Sequence, residues 1–466
     1  MGDFKLFDFQ EEAVQVCLDL IKQKNPVPSI CVAPVAYGKS GVLSEVVRRS
    51  GAKAVVLQPS AELLKQNIGK LRALGGDATI YSASLKTKEL SDITYATLGS
   101  IKDMGADFRA QGITLVIVDE ADRGFPPDKD SMFMTFIKAL KPHCVIGFTA
   151  TPITLTNTME GSMLKMMMKT RPSYFKDICY TMQVSEIIEK DRWTPIKYKA
   201  YEFDENMLIL NSSGSDFSEE SIKKYNEAKG INNKIFLEIR ELLLDPLERI
   251  LTFCDSIESA QLFADNTKDS AAVHGGMSKN EREKVLTAFQ KGEIRAVFNH
   301  SVLGIGYDHP ALRTVIMGRP TNSFSIYYQY LGRGVRKCPG KKEFKFVDYG
   351  GNVKRFGTVE SITVEKHPIV GWAMFSNDRL LTGTSMKGAP VYKKDLVPKN
   401  ELPKGEGGNY TINIGKFKGQ PLSKVKRSYL EYMIFTSGFD FSRGAMKEFY
   451  EKTNRYLEST KMQFVK

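Results

Sequence analysis

The segment Ala33-Pro-Val-Ala-Tyr-Gly-Lys-Ser40 limits what this chain can fold into more than any other. It is preceded by Pro28-Ser-Ile-Cys-Val-Ala33, a short apolar run that reads as a buried strand. From Ser40 the residues Ser-Gly-Val-Leu-Ser-Glu-Val-Val-Arg-Arg have helical spacing. A loop joining such a strand to such a helix and ending in Gly-Lys-Ser predicts a phosphate cradle. Backbone N–H groups of Ala36, Tyr37 and Gly38 would wrap the phosphates, and the helix N-terminus adds positive potential. Lys39 is expected at the β- and γ-phosphates and the Ser40 hydroxyl at Mg²⁺. The loop is poor in glycine, since Ala36 and Tyr37 stand where glycines are common, so it should adopt a conformation that a Cβ permits. Taken alone, it could equally be an ordinary strand–turn–helix with a surface lysine.

A second segment supports the cradle. Gly112-Ile-Thr-Leu-Val-Ile-Val118 is continuously apolar, as a central parallel strand should be, and it ends in Asp119-Glu120. Two carboxylates then sit at the carboxyl end of a strand, where open α/β sheets bind ligands. Asp119 is expected to hold Mg²⁺ and Glu120 to position the attacking water. In a third segment, Gln329, Arg333 and Arg336 fall at i, i+4 and i+7, which predicts one shared helix face. Arginine suits a γ-phosphate because its charge is permanent and its fork is planar. With Lys39 and Glu120 on one lobe and Arg333 and Arg336 on another, the spacing predicts two α/β lobes closing on ATP.

These motifs resemble helicase superfamily 2, with tandem RecA-like domains, over about residues 4–352. Leu6-Phe-Asp-Phe-Gln-Glu-Glu-Ala-Val14 is similar to the adenine-recognition segment, with Gln10 as its glutamine. Phe7 stands where that family often has arginine and is read either as an adenine-stacking ring or as core. Gln58-Pro-Ser-Ala-Glu-Leu-Leu-Lys-Gln66 and Tyr95-Ala-Thr-Leu-Gly-Ser100 resemble strand-binding motifs, which implies nucleic-acid contacts at Pro59, Thr97 and Gly99. Gly147-Phe-Thr-Ala-Thr-Pro152 resembles the segment coupling hydrolysis to movement, through Thr149 and Thr151. In the second lobe, His274-Gly-Gly-Met277 and Val302-Leu-Gly-Ile-Gly-Tyr-Asp-His-Pro310 follow the family order. They imply nucleic-acid contacts at His274 and Ser301, and nucleotide contacts at Gly306, Asp308 and Gln329. Gly304 and Ile305 replace threonines of the pattern.

Phrases such as Tyr81-Ser-Ala-Ser-Leu-Lys-Thr-Lys88 and Arg319-Pro-Thr-Asn-Ser-Phe-Ser-Ile-Tyr327 are similar to RadD-like DNA repair helicases, whether of a cell or a phage. The resemblance implies an ATP- and Mg²⁺-dependent DNA helicase or translocase acting on single-stranded or branched DNA in repair, recombination or replication. An RNA helicase, and a DNA-binding recruitment protein with weak ATPase activity, are the alternatives.

Composition fits this reading. A formal charge of +12 suits a polyanionic partner. The six cysteines (17, 31, 144, 179, 254 and 338) are isolated in sequence and the five histidines scattered, so no structural zinc is expected. Dispersed cysteines suit a reducing cytoplasm, bacterial or phage-infected. Asp3 and Asp8 argue against a signal peptide, and the absence of a long apolar run argues against a membrane span.

The expected division is a RecA-like ATP-binding domain at 1–190, a second RecA-like domain at 191–365, a linker region at 366–410 and a small basic α+β module at 411–466. The basic, Met-rich stretch 163–171 is read as an accessory hairpin or helix touching nucleic acid, or as methionines packed on the first lobe. Residues 203–222 read as a flexible surface insertion. In the last module, Ile414-Gly-Lys-Phe-Lys-Gly-Gln-Pro-Leu422 resembles a segment of phage and bacterial DNA-processing proteins. Lys416 and Lys418 could grip phosphates there. The segment could also be a solvated surface, or a docking site for replication or repair proteins.

Overall fold

A computed structural model describes residues 5–126, 128, 130–158, 161–212, 214–303, 309–386 and 389–396, and beyond these 410, 412, 420–425, 430 and 444–459. In the first lobe the strands are β1 (Ser29–Val32), β2 (Ala54–Gln58), β3 (Thr79–Ser82), β4 (Thr87–Lys88), β5 (Ile93–Thr97), β6 (Leu115–Asp119) and β7 (Cys144–Thr149). A hairpin of β8 (Ile153–Thr158) and β9 (Gly161–Met166) follows, and then β10 (Asp177–Thr181). Apart from the hairpin these form one sheet in the order β10-β1-β7-β6-β2-β5-β3-β4, parallel except for β3 with β4. Strands β1, β2, β6 and β7 are buried along their whole length, which explains their unbroken apolar sequences. The helices that concern the site are α1 (Asp8–Ile21), α2 (Lys39–Ser50) and α3 (Ala61–Ala73).

The second lobe is a wholly parallel sheet of β11 (Ile196–Ala200), β12 (Ile250–Phe253), β13 (Ser270–His274), β14 (Ala296–His300), β15 (Thr314–Met317) and β16 (Phe344–Asp348). Its order is β11-β16-β15-β12-β14-β13. The two sheets and their flanking helices make the expected pair of RecA-like domains.

Two expectations need correction. The region read as a linker from 366 contains strands: β17 (Ile362–His367), β18 (Gly371–Ser376) and β19 (Arg379–Leu380) form a third, antiparallel sheet. Ala373, Phe375 and Leu380 are buried beneath it with Val370, so this segment has its own small core. The insertion at 203–222 is not loose. Phe203, Leu208 and Phe217 are buried, and Asp216 accepts hydrogen bonds from Thr321 Oγ1 (3.0 Å) and Asn322 N (2.6 Å). The Met-rich stretch begins as strand β9, with Leu164, Met166 and Met167 packed inside.

The hairpin also reaches beyond its own lobe. Gly383 N donates to Leu164 O at 2.7 Å and Met386 N to Ser162 O at 2.9 Å. The third sheet is fixed to the first lobe by the Gln183 side chain, which exchanges two 2.9 Å hydrogen bonds with the Val364 backbone. Arg379 Nη2 holds it to the second lobe through Arg355 O at 2.7 Å. Among the described C-terminal residues, Ile412, Leu422, Val425, Leu430, Phe449 and Leu457 form a separate buried cluster. Lys416 and Lys418 lie outside the described residues, as does most of the Lys-, Pro- and Gly-rich stretch 387–408.

Candidate nucleotide and nucleic-acid site

The phosphate loop joins β1 to α2, and its conformation differs from the one expected. Ala36 takes up left-handed φ of 58° despite its Cβ, and Gly38 lies at φ 90°. The positive φ favours glycine there, and a Cβ on Gly38 would come within 2.5 Å of Gln10 Nε2 and displace that side chain. Gln10 reaches across from α1: its Nε2 donates to Tyr37 O (2.7 Å) while its Oε1 accepts from Phe7 N (2.9 Å). The adenine segment and the cradle are thereby one hydrogen-bonded unit. The Tyr37 ring points away from the cradle into the core, where its hydroxyl donates to Phe9 O at 2.8 Å. Only the Tyr37 backbone belongs to the loop, and its N–H is directed at Pro34 O (3.3 Å). Lys39 Nζ lies against Ala33 O (3.3 Å) and Pro34 O (3.4 Å), with Ser40 beside it in the first turn of α2.

Phe7 is not core, being 42% exposed. One face of its ring stacks on Phe9 (5.5 Å) and the other lies under the Arg192 guanidinium (3.5 Å). A cation on this ring comes from the interlobe segment rather than from the adenine segment itself.

Asp119 ends β6 in full burial, and burial first, then the neighbouring Glu120 charge, pushes its carboxyl up to about 6. Its Oδ1 accepts from Glu120 N (3.1 Å) and its Oδ2 from Asn67 Nδ2 (2.7 Å). Glu120 is a non-glycine residue at φ 47°, and its Oε2 is buried without a hydrogen-bond partner. Strained backbone and an unmatched carboxylate oxygen are tolerated where function holds them. A buried carboxylate that feels the Lys39 charge, with Glu120 next to it, has the chemistry to hold Mg²⁺ with phosphate oxygens. Asp122, to which the sequence assigns no role, joins the two threonines of segment 147–152. Its Oδ1 accepts from Thr149 Oγ1 (2.6 Å) and its Oδ2 from Thr151 Oγ1 (2.7 Å).

The arginine segment departs from expectation. The helix is Phe324–Leu331 and stops before either arginine. A Cβ on Gly332 would meet Val35 Cγ2 at 2.5 Å, and one on Gly334 would overlap the Phe344 ring at 1.9 Å. These close approaches require glycine and turn the chain out of the helix. Gln329 stays on the helix and is buried, Arg333 lies in the turn after it, and Arg336 forms a β-bridge with Trp193. Both arginines still face the first lobe, Arg333 within reach of the Glu120 charge and Arg336 within reach of Lys70. Enclosure pushes the Arg333 guanidinium down to about 10 against the opposing pull of Glu120, although the residue keeps some surface. Burial also lowers Arg336.

The residues expected to contact nucleic acid occupy the carboxyl edges of both sheets. Gln58-Pro59 ends β2, Thr97 ends β5 and is followed by exposed Gly99, while His274 ends β13 directly opposite His300, with Ser301 next. Ser301 has φ 62°. Lys279 Nζ lies 3.4 Å from Glu62 Oε1, which brings the segments 59–62 and 274–279 together across the lobes. Gly306 and Asp308 lie outside the described residues. All six cysteines are free, and Cys17, Cys31 and Cys179, isolated in sequence, adjoin in the buried first lobe. Among the described residues, no helix is long and apolar enough to cross a membrane.

A phosphate loop, paired carboxylates and arginines converging from a second RecA-like sheet define a two-lobed P-loop ATPase. The DEAD/DEAH box helicase domain profile matches residues 7–158 and the helicase conserved C-terminal domain profile matches 234–338, together more than half of the chain. The chain belongs to helicase superfamily 2, whose members use ATP with Mg²⁺. A Saccharomyces cerevisiae protein provisionally named ATP-dependent helicase IRC3 is 24% identical over 74% of this chain and 51% of its own length. The ATP-dependent RNA helicase DBP3 of Coccidioides immitis is 26% identical over 60% of this chain and 52% of its own. The chain thus spans about half the length of these curated relatives. In fold it is similar to the DNA-bound ATP-dependent Type ISP restriction-modification enzyme LlaBIII, with a TM-score of 0.54 at 18% identity over 74% of this chain and 28% of that one.

Proposed function

We propose that the chain is a DNA-directed superfamily 2 translocase or helicase of RadD-like type, coupling ATP hydrolysis in the cleft to movement on single-stranded or branched DNA. The observation carrying this reading is that Arg333 of the second lobe lies within reach of the Glu120 charge on the first. In it, Lys39 and Ser40 bind the triphosphate, Glu120 orients the water, and Arg333 and Arg336 stabilise charge on the transferred phosphoryl group. Ser40 and Asp119 would hold Mg²⁺, which would supply charge neutralisation at the phosphates. Thr149 and Thr151 pass the change through Asp122. Pro59, Thr97 and Gly99 on one lobe, with His274 and Ser301 on the other, form the track, whose alignment the Lys279–Glu62 contact supports. The +12 charge favours a phosphate backbone as partner.

RNA is the second reading, favoured by the likeness to an RNA helicase. The C-terminal residues 411–466 would serve as an accessory contact to nucleic acid or to repair and replication proteins, in a bacterial or phage-infected cytoplasm. The test measures ATP turnover with single-stranded, duplex, forked and branched DNA beside RNA of the same sequence. Stimulation by DNA over RNA is expected. Stimulation by RNA alone, or by neither, overturns the DNA assignment.

A further inference from the structure

Asn67 lies on α3, is 1% exposed and had no place in the motif reading. Its side-chain nitrogen carries two hydrogens and both are used. One goes to Asp119 Oδ2 at 2.7 Å and the other to Gln58 Oε1 at 3.0 Å. The orientation of this trio is forced. A carboxylate only accepts, so Asn67 must turn its nitrogen to Asp119, and the same nitrogen then requires the oxygen of Gln58. The Gln58 amide nitrogen is left buried without a hydrogen-bond partner. Burying an amide donor without a partner is unfavourable, so the arrangement has an incentive to change. Gln58 is the last residue of β2 and is bonded directly to Pro59, where the strand-binding segment begins.

We infer that Asn67 is a positioning residue linking occupancy of the nucleic-acid segment at 58–60 to the carboxylate that holds Mg²⁺. Contact of a phosphate backbone with Pro59 and Ser60 moves the end of β2, Gln58 turns to satisfy its amide, and Asn67 shifts its hold on Asp119 Oδ2. The route runs through three buried side chains and is separate from the Thr149–Asp122–Thr151 group. It rests on the functional reading above, because it presumes a nucleic-acid-stimulated ATPase.

The experiment uses the full chain with Asn67→Leu and Gln58→Leu. ATP turnover is measured with and without a single-stranded oligonucleotide, and binding of a fluorescent non-hydrolysable ATP analogue is titrated with Mg²⁺. Asn67→Leu is expected to raise the Mg²⁺ midpoint for analogue binding several-fold and to cut the stimulation ratio at least fivefold. Gln58→Leu keeps the Asn67–Asp119 bond, so it is expected to cut the stimulation ratio with a smaller shift of the Mg²⁺ midpoint. Oligonucleotide affinity, read by anisotropy, should change much less than the ratio in either variant. A stimulated wild type with both variants unchanged in ratio overturns this inference and leaves the functional reading standing. If Asn67→Leu does not fold, an unchanged ratio in Gln58→Leu overturns it alone. A wild type that no nucleic acid stimulates overturns both.

Discussion

Trp193, in the segment between the lobes, donates its indole Nε1–H to the carbonyl oxygen of Val35 in the phosphate loop at 3.1 Å. The same residue is bridged to Arg336, and Thr194 N donates to Val335 O at 2.7 Å. The cradle and the arginine strand are therefore set against each other by one buried indole. Trp193→Phe keeps most of the ring and removes the donor, leaving Val35 O unmatched at a cost of about 1–3 kcal/mol. A lower melting temperature is expected together with slower ATP turnover. Because the only other tryptophan is Trp372, nucleotide binding should also change tryptophan emission in a Trp372→Phe background.

Glu120 combines left-handed backbone with an unmatched buried oxygen. Glu120→Gln should lower turnover by about 10²–10⁴-fold, the range for loss of a positioned acid–base group. Its melting temperature should equal or exceed that of the wild type, because the charge removed repels the buried carboxylates of Asp119 and Asp122. Steady-state ATPase assays beside thermal melts check both halves. Lys39→Ala should be as inactive while remaining folded.

Arg333→Lys keeps one charge but loses the planar fork. If the guanidinium acts on the transferred phosphoryl group, kcat should fall by about 10³–10⁵-fold, with KM for ATP changing far less. A change confined to KM would assign Arg333 to ground-state binding instead.

His309 carries a pH prediction for stability. Burial, with the Arg249 and Lys341 charges, pushes its pKa from the ordinary 6.5 down to about 4. The folded protein therefore keeps it neutral where the unfolded chain takes up a proton. Its contribution is complete above pH 6.5 and is lost as pH falls towards 4. His309→Phe should flatten the fall in melting temperature across that window by the equivalent of one proton.

Much of this site could be read before folding because its signals are local. The run ending at Val118 and the Gly-Lys-Ser turn each need only a few consecutive residues to declare a strand edge and a cradle. Other features depend on what approaches from elsewhere. Arg333 and Arg336 have ideal helical spacing, yet the Phe344 ring and Val35 occupy the space beside Gly334 and Gly332 and end the helix. Asn67 and Asp122 acquire roles only through partners on other elements. The third sheet was hidden because its strands run up to a basic, glycine-rich stretch that made the whole region read as a linker. Phe7 was ambiguous because Arg192, which covers it, comes from the interlobe segment.

The third sheet has a mechanical consequence. The lobes are joined at Trp193 and again through the Gln183–Val364 bonds, the Arg379–Arg355 bond and the hairpin strap at residues 382–386. Two separated pins define an axis, so lobes that keep both are left with rotation about the line joining them. Losing the Gln183 pair would remove part of that constraint and widen the motion open to the lobes without any change in the nucleotide site.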